Sequence, residues 1–207
     1  MTETLNQWDT TLFWWVNSHH SAVGDWVLWV ASQAWSWAIV ILAVMLLLLP
    51  RIGWRRWWLL LLGVGLCFLL SDRISVMVFK DVVQRLRPCH ALEEVRMFQT
   101  SCGGAYGFIS SHAANCCSVA MFLGLIAAGF PRQRSNGQSG RRWVLPVVLA
   151  AWALVVCYSR PYLGKHYPGD VLCGAIVGLA LGALVYFLFC KASHAIDRRQ
   201  ESPKHRQ

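Results

Sequence analysis

Residues 159–170 read SRPYLGKHYPGD and place an arginine, a histidine and an aspartate directly before the last long apolar run of the chain. His166 and Asp170 are four residues apart, so a helix that begins near Pro168 brings the carboxylate back toward the imidazole, about one turn away. A carboxylate behind a histidine fixes the tautomer of the ring and raises its basicity, as a nucleophile or a base requires. The stretch therefore predicts a reactive histidine at a helix N-terminus, where anions are favoured.

The composition is that of an integral membrane protein forming one domain. Of the 207 residues, 56% are hydrophobic, only 14% are charged, and twelve are tryptophan. A soluble domain of this length could not bury so much apolar surface. The net charge of +9 does not indicate nucleic-acid binding, because the basic residues are scattered over short loops between apolar runs. The eight cysteines show no metal-ligand spacing, so no metal site is expected.

Five apolar runs are long enough to cross a bilayer, which predicts an all-α bundle of five to six transmembrane helices. Residues 1–25 are rich in tryptophan and form either a helix lying at the membrane interface or part of a first span. Residues 26–190 form the membrane-embedded domain, and residues 191–207 form a charged tail that we expect to be disordered. The predicted spans are residues 26–49, 57–79, 113–130, 143–158 and 171–190.

The distribution of basic residues predicts the orientation of these spans. The connections at 51–56 and 131–142 and the tail after residue 190 share one side and hold twelve of the nineteen lysines and arginines, so this side is cytoplasmic. The connections at 80–110 and 159–170 then face outward, toward a periplasm or its equivalent. An oxidising compartment there would permit a disulfide between Cys89 and Cys102, although the spacing alone leaves two free thiols equally open.

Two further polar segments carry chemistry on the outward side. Lys80 and Arg87 are seven residues apart, so they fall on one face if the second helix continues outward, where an ammonium and a guanidinium would cradle a phosphate. Ser110 and Ser111 precede an apolar run and read as a helix N-cap, and His112 could donate a proton to a leaving oxygen. Taken singly, such residues are more often snorkelling cations, plain helix caps and a surface histidine than parts of a phosphate site.

Together the three segments resemble the signature of the type 2 phosphatidic acid phosphatase superfamily, whose fold is shared by vanadium haloperoxidases. That signature is Lys, six residues, Arg-Pro; then Pro-Ser-Gly-His; then Ser-Arg, five residues, His, three residues, Asp. The second motif departs at two positions, where Ile109 replaces proline and Ser111 replaces glycine. The resemblance covers about residues 57–190 and rests on Lys80…Arg87-Pro88, Ile109-Ser110-Ser111-His112 and Ser159-Arg160…His166…Asp170.

The resemblance implies a phosphohydrolase that needs no metal or other cofactor. His166, oriented by Asp170, would attack phosphorus and form a phosphohistidine, and His112 would protonate the departing oxygen. The phosphate oxygens would be held by Lys80, Arg87, Ser110, Ser111 and Arg160. The active site would then lie at the outer membrane–water interface, within reach of a lipid phosphate at the headgroup level.

The expected substrate is an envelope lipid of a bacterial inner membrane, either lipid A or undecaprenyl diphosphate. Residues 102–115 are similar to the corresponding segment of envelope lipid phosphatases from Bacteroidetes-type bacteria. A phosphatidylglycerophosphate or phosphatidate phosphatase stays open, as does a lipid phosphotransferase that uses the same histidine. The membrane spans argue against a soluble haloperoxidase, and a non-catalytic membrane protein should tolerate the loss of His166.

Overall fold

The computed structural model describes residues 2–129 and 140–201, which are helical with irregular connections and contain no strand. Most of the predicted cytoplasmic loop at 131–142 and the last six residues of the tail lie outside these ranges. The helices are α1 Thr2–Ser18, α2 Ala22–Ala31, α3 Ala34–Ile52, α4 Trp54–Val83, α5 Pro88–Ala91, α6 Ser111–Gly129, α7 Val144–Tyr162 and α8 Pro168–Glu201.

Five of these helices, α3, α4, α6, α7 and α8, are long and apolar enough to cross a membrane. The predicted start of the first span at residue 26 is wrong, because Trp26 lies inside the short helix α2. That helix ends at Ala31, where the side chains of Ser32 and Gln33 both donate to the carbonyl oxygen of Trp29, at 2.8 and 3.2 Å. The two side chains satisfy a helix-terminal carbonyl, so the chain can turn before α3 begins.

The ends of the last two spanning helices also differ from the prediction. Helix α7 continues to Tyr162, so Ser159 and Arg160 lie in its final turn rather than in a connection. Helix α8 begins at Pro168, as predicted, but continues to Glu201, and the predicted disorder of the tail is therefore wrong for residues 191–201. An ion pair between Arg56 and Asp197 joins this extension to the first turn of α4.

Helix α6 is the centre of the bundle and packs against α4, α7 and α8. A stripe of small residues on α8 lies where that helix meets α6. A Cβ atom on any of its three glycines would overlap a backbone carbonyl oxygen of α6 or of Ser110 directly before it, so only glycine permits this helix spacing. The stripe consists of Gly174, Gly178 and Gly182, which face the carbonyls of Ser110, Ala114 and Ser118 respectively.

The N-terminal helices close the end of the bundle at which residues 159–170 lie. On α1, the Asn17 side chain donates to the carbonyl oxygens of Arg96 and Tyr162, at 3.0 and 2.9 Å. On α2, Asp25 accepts two bonds from the Arg96 guanidinium and one from the Tyr162 hydroxyl. The predicted division at residues 25 and 26 falls inside α2, and both short helices belong to this cap.

Candidate active site

His166 lies in the turn between α7 and α8 and is only 2% exposed. Its Nε2 atom is 2.9 Å from Nη1 of Arg87, and its Nδ1 atom is 3.7 Å from the Asp170 carboxylate. A guanidinium can only donate, so Nε2 must carry the lone pair and the ring proton must sit on Nδ1, facing Asp170. This tautomer presents Nε2 as the nucleophilic atom.

Asp170 is held from three directions in the first turn of α8. Its Oδ1 atom pairs with Arg85 at 2.8 Å, and its Oδ2 atom accepts the backbone N–H of Tyr167 at 3.1 Å. Its own carbonyl oxygen accepts the N–H of Ser110 at 3.0 Å, which joins the third motif to the second. The 3.7 Å gap to the imidazole exceeds a hydrogen bond, a common state of catalytic pairs before substrate binds.

Arg87 does not share a helical face with Lys80, contrary to the prediction. Helix α4 ends at Val83, and Gln84 adopts a left-handed conformation with φ 50°, which turns the chain away from the helix axis. Arg87 is fixed instead by the loop around residue 105. Its N–H donates to the Ala105 carbonyl at 3.0 Å, and its Nε donates to the Gly104 carbonyl at 2.7 Å.

A disulfide joins Cys89 to Cys102, with Cα atoms 5.9 Å apart. The bond lies just beyond Arg87 and links the segment that contains Arg87 to the segment that accepts the hydrogen bonds of Arg87. It therefore limits how far the guanidinium can move relative to His166.

Lys80 ends a segment of wider π-helical turns, Ser75–Lys80, within α4. Its Nζ donates to the Ser111 hydroxyl at 2.7 Å, and the same hydroxyl is 2.7 Å from that of Ser75. Ser110 is fully buried, and its hydroxyl accepts the Ala113 N–H at 3.5 Å as a cap of α6. Ser111 thus positions the lysine, while Ser110 caps the helix.

Arg160 is the buried member of a cluster of positive charges around the histidine, whose other members, Lys80 and Arg87, are half-buried. It is 2% exposed, and its Nε has no hydrogen-bond partner. Burial, followed by the charges of Arg87, Arg160 and Lys80, holds the pKa of His166 well below its ordinary value, so the ring is neutral at pH 7. Because unpaired buried cations are unfavourable, the cluster favours binding of a compact anion.

Lys165, next to His166, is a further positive charge at the site, and the sequence analysis did not predict it as a site residue. Burial, followed by the charges of Arg160 and Arg87, lowers the pKa of this lysine to about 8. Its carbonyl oxygen lies 3.4 Å from Nη1 of Arg87.

His112 lies in the first turn of α6, one residue after Ser111. Its ring packs edge-on against Trp37 of α3, with centroids 5.3 Å apart. This contact with the indole orients the imidazole, and among the described residues His112 forms no ion pair.

Two further residues support Asp170 and were missed in the sequence. Arg85 pairs with Asp170 and also with Asp9 of α1, at 2.7 Å, and its guanidinium stacks 4.0 Å above the Tyr167 ring. Asp9 in turn accepts the Gly169 N–H at 2.7 Å and so caps the N-terminus of α8. The helix terminus that was expected to attract phosphate is therefore already neutralised by a carboxylate of the chain itself.

The sequence profile of the PAP2 superfamily matches residues 56–193. The chain belongs to the PAP2 superfamily. Two relatives are lipid A 4′-phosphatases: that of Bacteroides thetaiotaomicron is 29% identical over 98% of this chain and 84% of its own length. That of Porphyromonas gingivalis is 28% identical over 92% and 76% respectively.

Among solved structures, the fold is similar to that of the transmembrane PAP2 type phosphatidylglycerolphosphate phosphatase from Bacillus subtilis. The TM-score is 0.66 at 18% identity, covering 93% of this chain and 88% of the other. Family membership and the helical membrane bundle predicted from the sequence are thus confirmed, and the PAP2 protein is a multi-pass membrane protein.

Proposed function

We propose that this protein is a lipid phosphatase that removes a phosphate group through a phosphohistidine on His166. The observation that carries the proposal is the buried, neutral imidazole whose Nε2 faces Arg87. Lys80 and Arg160 complete a cationic cradle around it, and Asp170 lies behind the ring.

The geometry supports a defined order of events. A bound phosphate would draw the Arg87 donor from Nε2 to a phosphate oxygen, which frees the lone pair for attack on phosphorus. The P–O bond to the lipid would break as the P–N bond forms, and His112 would transfer a proton to the leaving oxygen. The positive charge on the imidazole would be stabilised by Asp170, now drawn within hydrogen-bond distance. Water would then cleave the P–N bond and release inorganic phosphate, with His112 accepting its proton.

Lipid A is the substrate that the comparisons favour. Both named relatives are lipid A 4′-phosphatases, and they align with 98% and 92% of this chain. A glycolipid phosphate carried at the headgroup level would reach a site at one end of the bundle without leaving the membrane.

The bacterial inner membrane, with the site on its periplasmic side, fits the distribution of charge and cysteine. The opposite end of the bundle carries Arg51, Arg55 and Arg56, and the basic continuation of α8 lies beside them. The disulfide at the site end requires an oxidising compartment.

The test is phosphate release by the purified protein in detergent micelles with EDTA present. The panel comprises lipid A, undecaprenyl diphosphate and phosphatidylglycerophosphate, and mass spectrometry identifies the phosphate lost. We expect release from lipid A, and its abolition in His166→Ala. His194→Ala, an exposed histidine on the far end of α8, is the matched control and should keep wild-type activity.

Two results would contradict the proposal. A wild-type rate of phosphate release in His166→Ala would refute the assignment of His166 as the nucleophile. Loss of wild-type activity in EDTA would refute the metal-free mechanism. Release from another panel lipid but not from lipid A would refute the substrate while leaving the chemistry intact.

A further inference from the structure

Three cysteines converge inside the bundle, next to the cationic cradle of Lys80, Arg87 and Arg160 but not part of it. Cys116 and Cys117 are neighbours on α6, and Cys157 faces them from α7. The Cys157 sulfur is 3.9 Å from that of Cys116 and 3.8 Å from that of Cys117, and all three sulfurs lie within 4.8 Å of one another. The mechanism uses none of them.

These separations fit a metal centre better than a disulfide. Bonded sulfurs are about 2.05 Å apart, so none of the thiols is joined to another. A metal–sulfur bond of about 2.3 Å places two ligand sulfurs about 3.8 Å apart at a tetrahedral angle and about 4.0 Å apart at a trigonal one. Both short sulfur–sulfur distances already have this value, so an ion could enter with little movement of the helices.

We propose that Cys116, Cys117 and Cys157 form a binding site for a soft thiophilic ion, monovalent copper. Thiolates select Cu(I) over hard cations, and a site with three sulfur ligands in an apolar bundle suits an ion of low coordination number and low charge. Each thiol that binds loses its proton to solvent, including the Cys116 thiol, which now donates to the carbonyls of Ala113 and Ala153.

The site would act on the phosphate cradle because it lies one helical turn from it. Cys157 is three residues before Arg160 on α7, and Cys116 is four residues after His112 on α6. The buried Nε of Arg160, one helical turn after Cys157, has no hydrogen-bond partner. Thiolates formed around copper would draw this guanidinium toward them, so copper binding should weaken phosphate binding.

Ion access is provided by an apolar cavity of about 740 Å³ between α6, α7 and α8. Cys117 and Cys157 both line this cavity, and Cys157 is only half-buried. A small thiol complex can therefore pass its copper to Cys157 first and then to the deeper sulfurs.

The experiment measures copper retained per chain after anaerobic incubation with Cu(I) in a weak thiol complex, followed by desalting. We expect about one ion per wild-type chain and at least a tenfold loss in Cys157→Ser. Cys190→Ser, a half-buried cysteine outside the cluster, is the matched control and should keep the ion. Cys117→Ser repeats the measurement in case the first variant does not fold, as judged by its thermal unfolding in detergent without copper.

Equal copper retention by the wild type and both cluster variants would overturn the proposal and show three thiols in simple packing contact. Failure of the wild type to retain copper would do the same. Because copper content is read directly, either failure is independent of whether the chain hydrolyses lipid A.

Discussion

Replacing Asp9 by asparagine should slow catalysis without weakening substrate binding, although Asp9 touches no reacting atom. The carboxylate pairs with Arg85 at 2.7 Å, and Arg85 pairs with Asp170 at 2.8 Å. In Asp9→Asn the guanidinium keeps Asp170 as its one carboxylate partner and competes with His166 for it. The imidazolium that develops in the transition state would then be less stabilised.

The structure sets the size of this effect. Breaking a fully buried ion pair costs about 3–5 kcal/mol, whereas an exposed pair contributes at most about 1 kcal/mol. The Arg85 and Asp9 side chains are 23% and 13% exposed, and Arg85 keeps a second carboxylate, so the expected cost lies between these two values and closer to that of an exposed pair. A loss of about 1.4 kcal/mol corresponds to about a tenfold lower kcat. KM should not change, because Lys80 and Arg160 are untouched.

The assay is the rate of phosphate release in detergent micelles over a range of lipid concentrations, to separate kcat from KM. Glu3→Gln, an exposed carboxylate on the same helix, is the matched control and should behave as the wild type. Adding Asp9→Asn to Arg85→Ala should cost nothing further, since each residue acts through the other. A wild-type kcat in Asp9→Asn, or a raised KM with unchanged kcat, would refute the positioning role.

Three further outcomes are expected. The value of kcat/KM should fall as pH rises through about 8, where Lys165 loses its charge, whereas in Lys165→Arg it should stay constant to higher pH. Identical pH profiles of the two proteins would exclude Lys165 as the cause of the fall. Gly178→Leu should destabilise the bundle by about 1–3 kcal/mol, because its side chain meets the Ala114 carbonyl, whereas Gly65→Leu, in open space on α4, should leave thermal unfolding in detergent unchanged. Reducing agent should lower the unfolding temperature of the wild type but not of Cys89→Ser, and an equal response of both would show that the bond does not support the fold.

The parts of the site that sequence could predict are those governed by local spacing. His166 and Asp170 lie four residues apart across the start of a helix, and Pro168, at which that helix begins, is visible in the sequence. The apolar runs likewise mark the spans, because bilayer thickness fixes their length. The predicted helix ends were less accurate, because the side chains that end α2 or extend α8 make tertiary contacts that a hydropathy pattern does not reveal.

Helical periodicity failed where the chain left the helix. The expectation that Lys80 and Arg87 share a face assumed a continuous helix, and the left-handed Gln84 ends that regularity. Arg85 was overlooked for the same reason, although it stands inside the first motif. Asp9 gave no signal at all, since a single carboxylate on an amphipathic helix is ordinary and only the tertiary fold brings it to Arg85.

The superfamily match begins at residue 56, yet the charge balance of the site depends on residues before it. Asp9 caps α8 and pairs with Arg85, so the N-terminal helix supplies negative charge on the far side of Asp170 from the cationic cradle. In the proposed mechanism, the positive charges around His166 bind phosphate, and the Asp9 carboxylate keeps Arg85 from neutralising Asp170. A chain that lacks residues 1–19 should therefore keep its cationic cradle and lose turnover. Its kcat should fall further than that of Asp9→Asn, because the cap of α8 is lost as well.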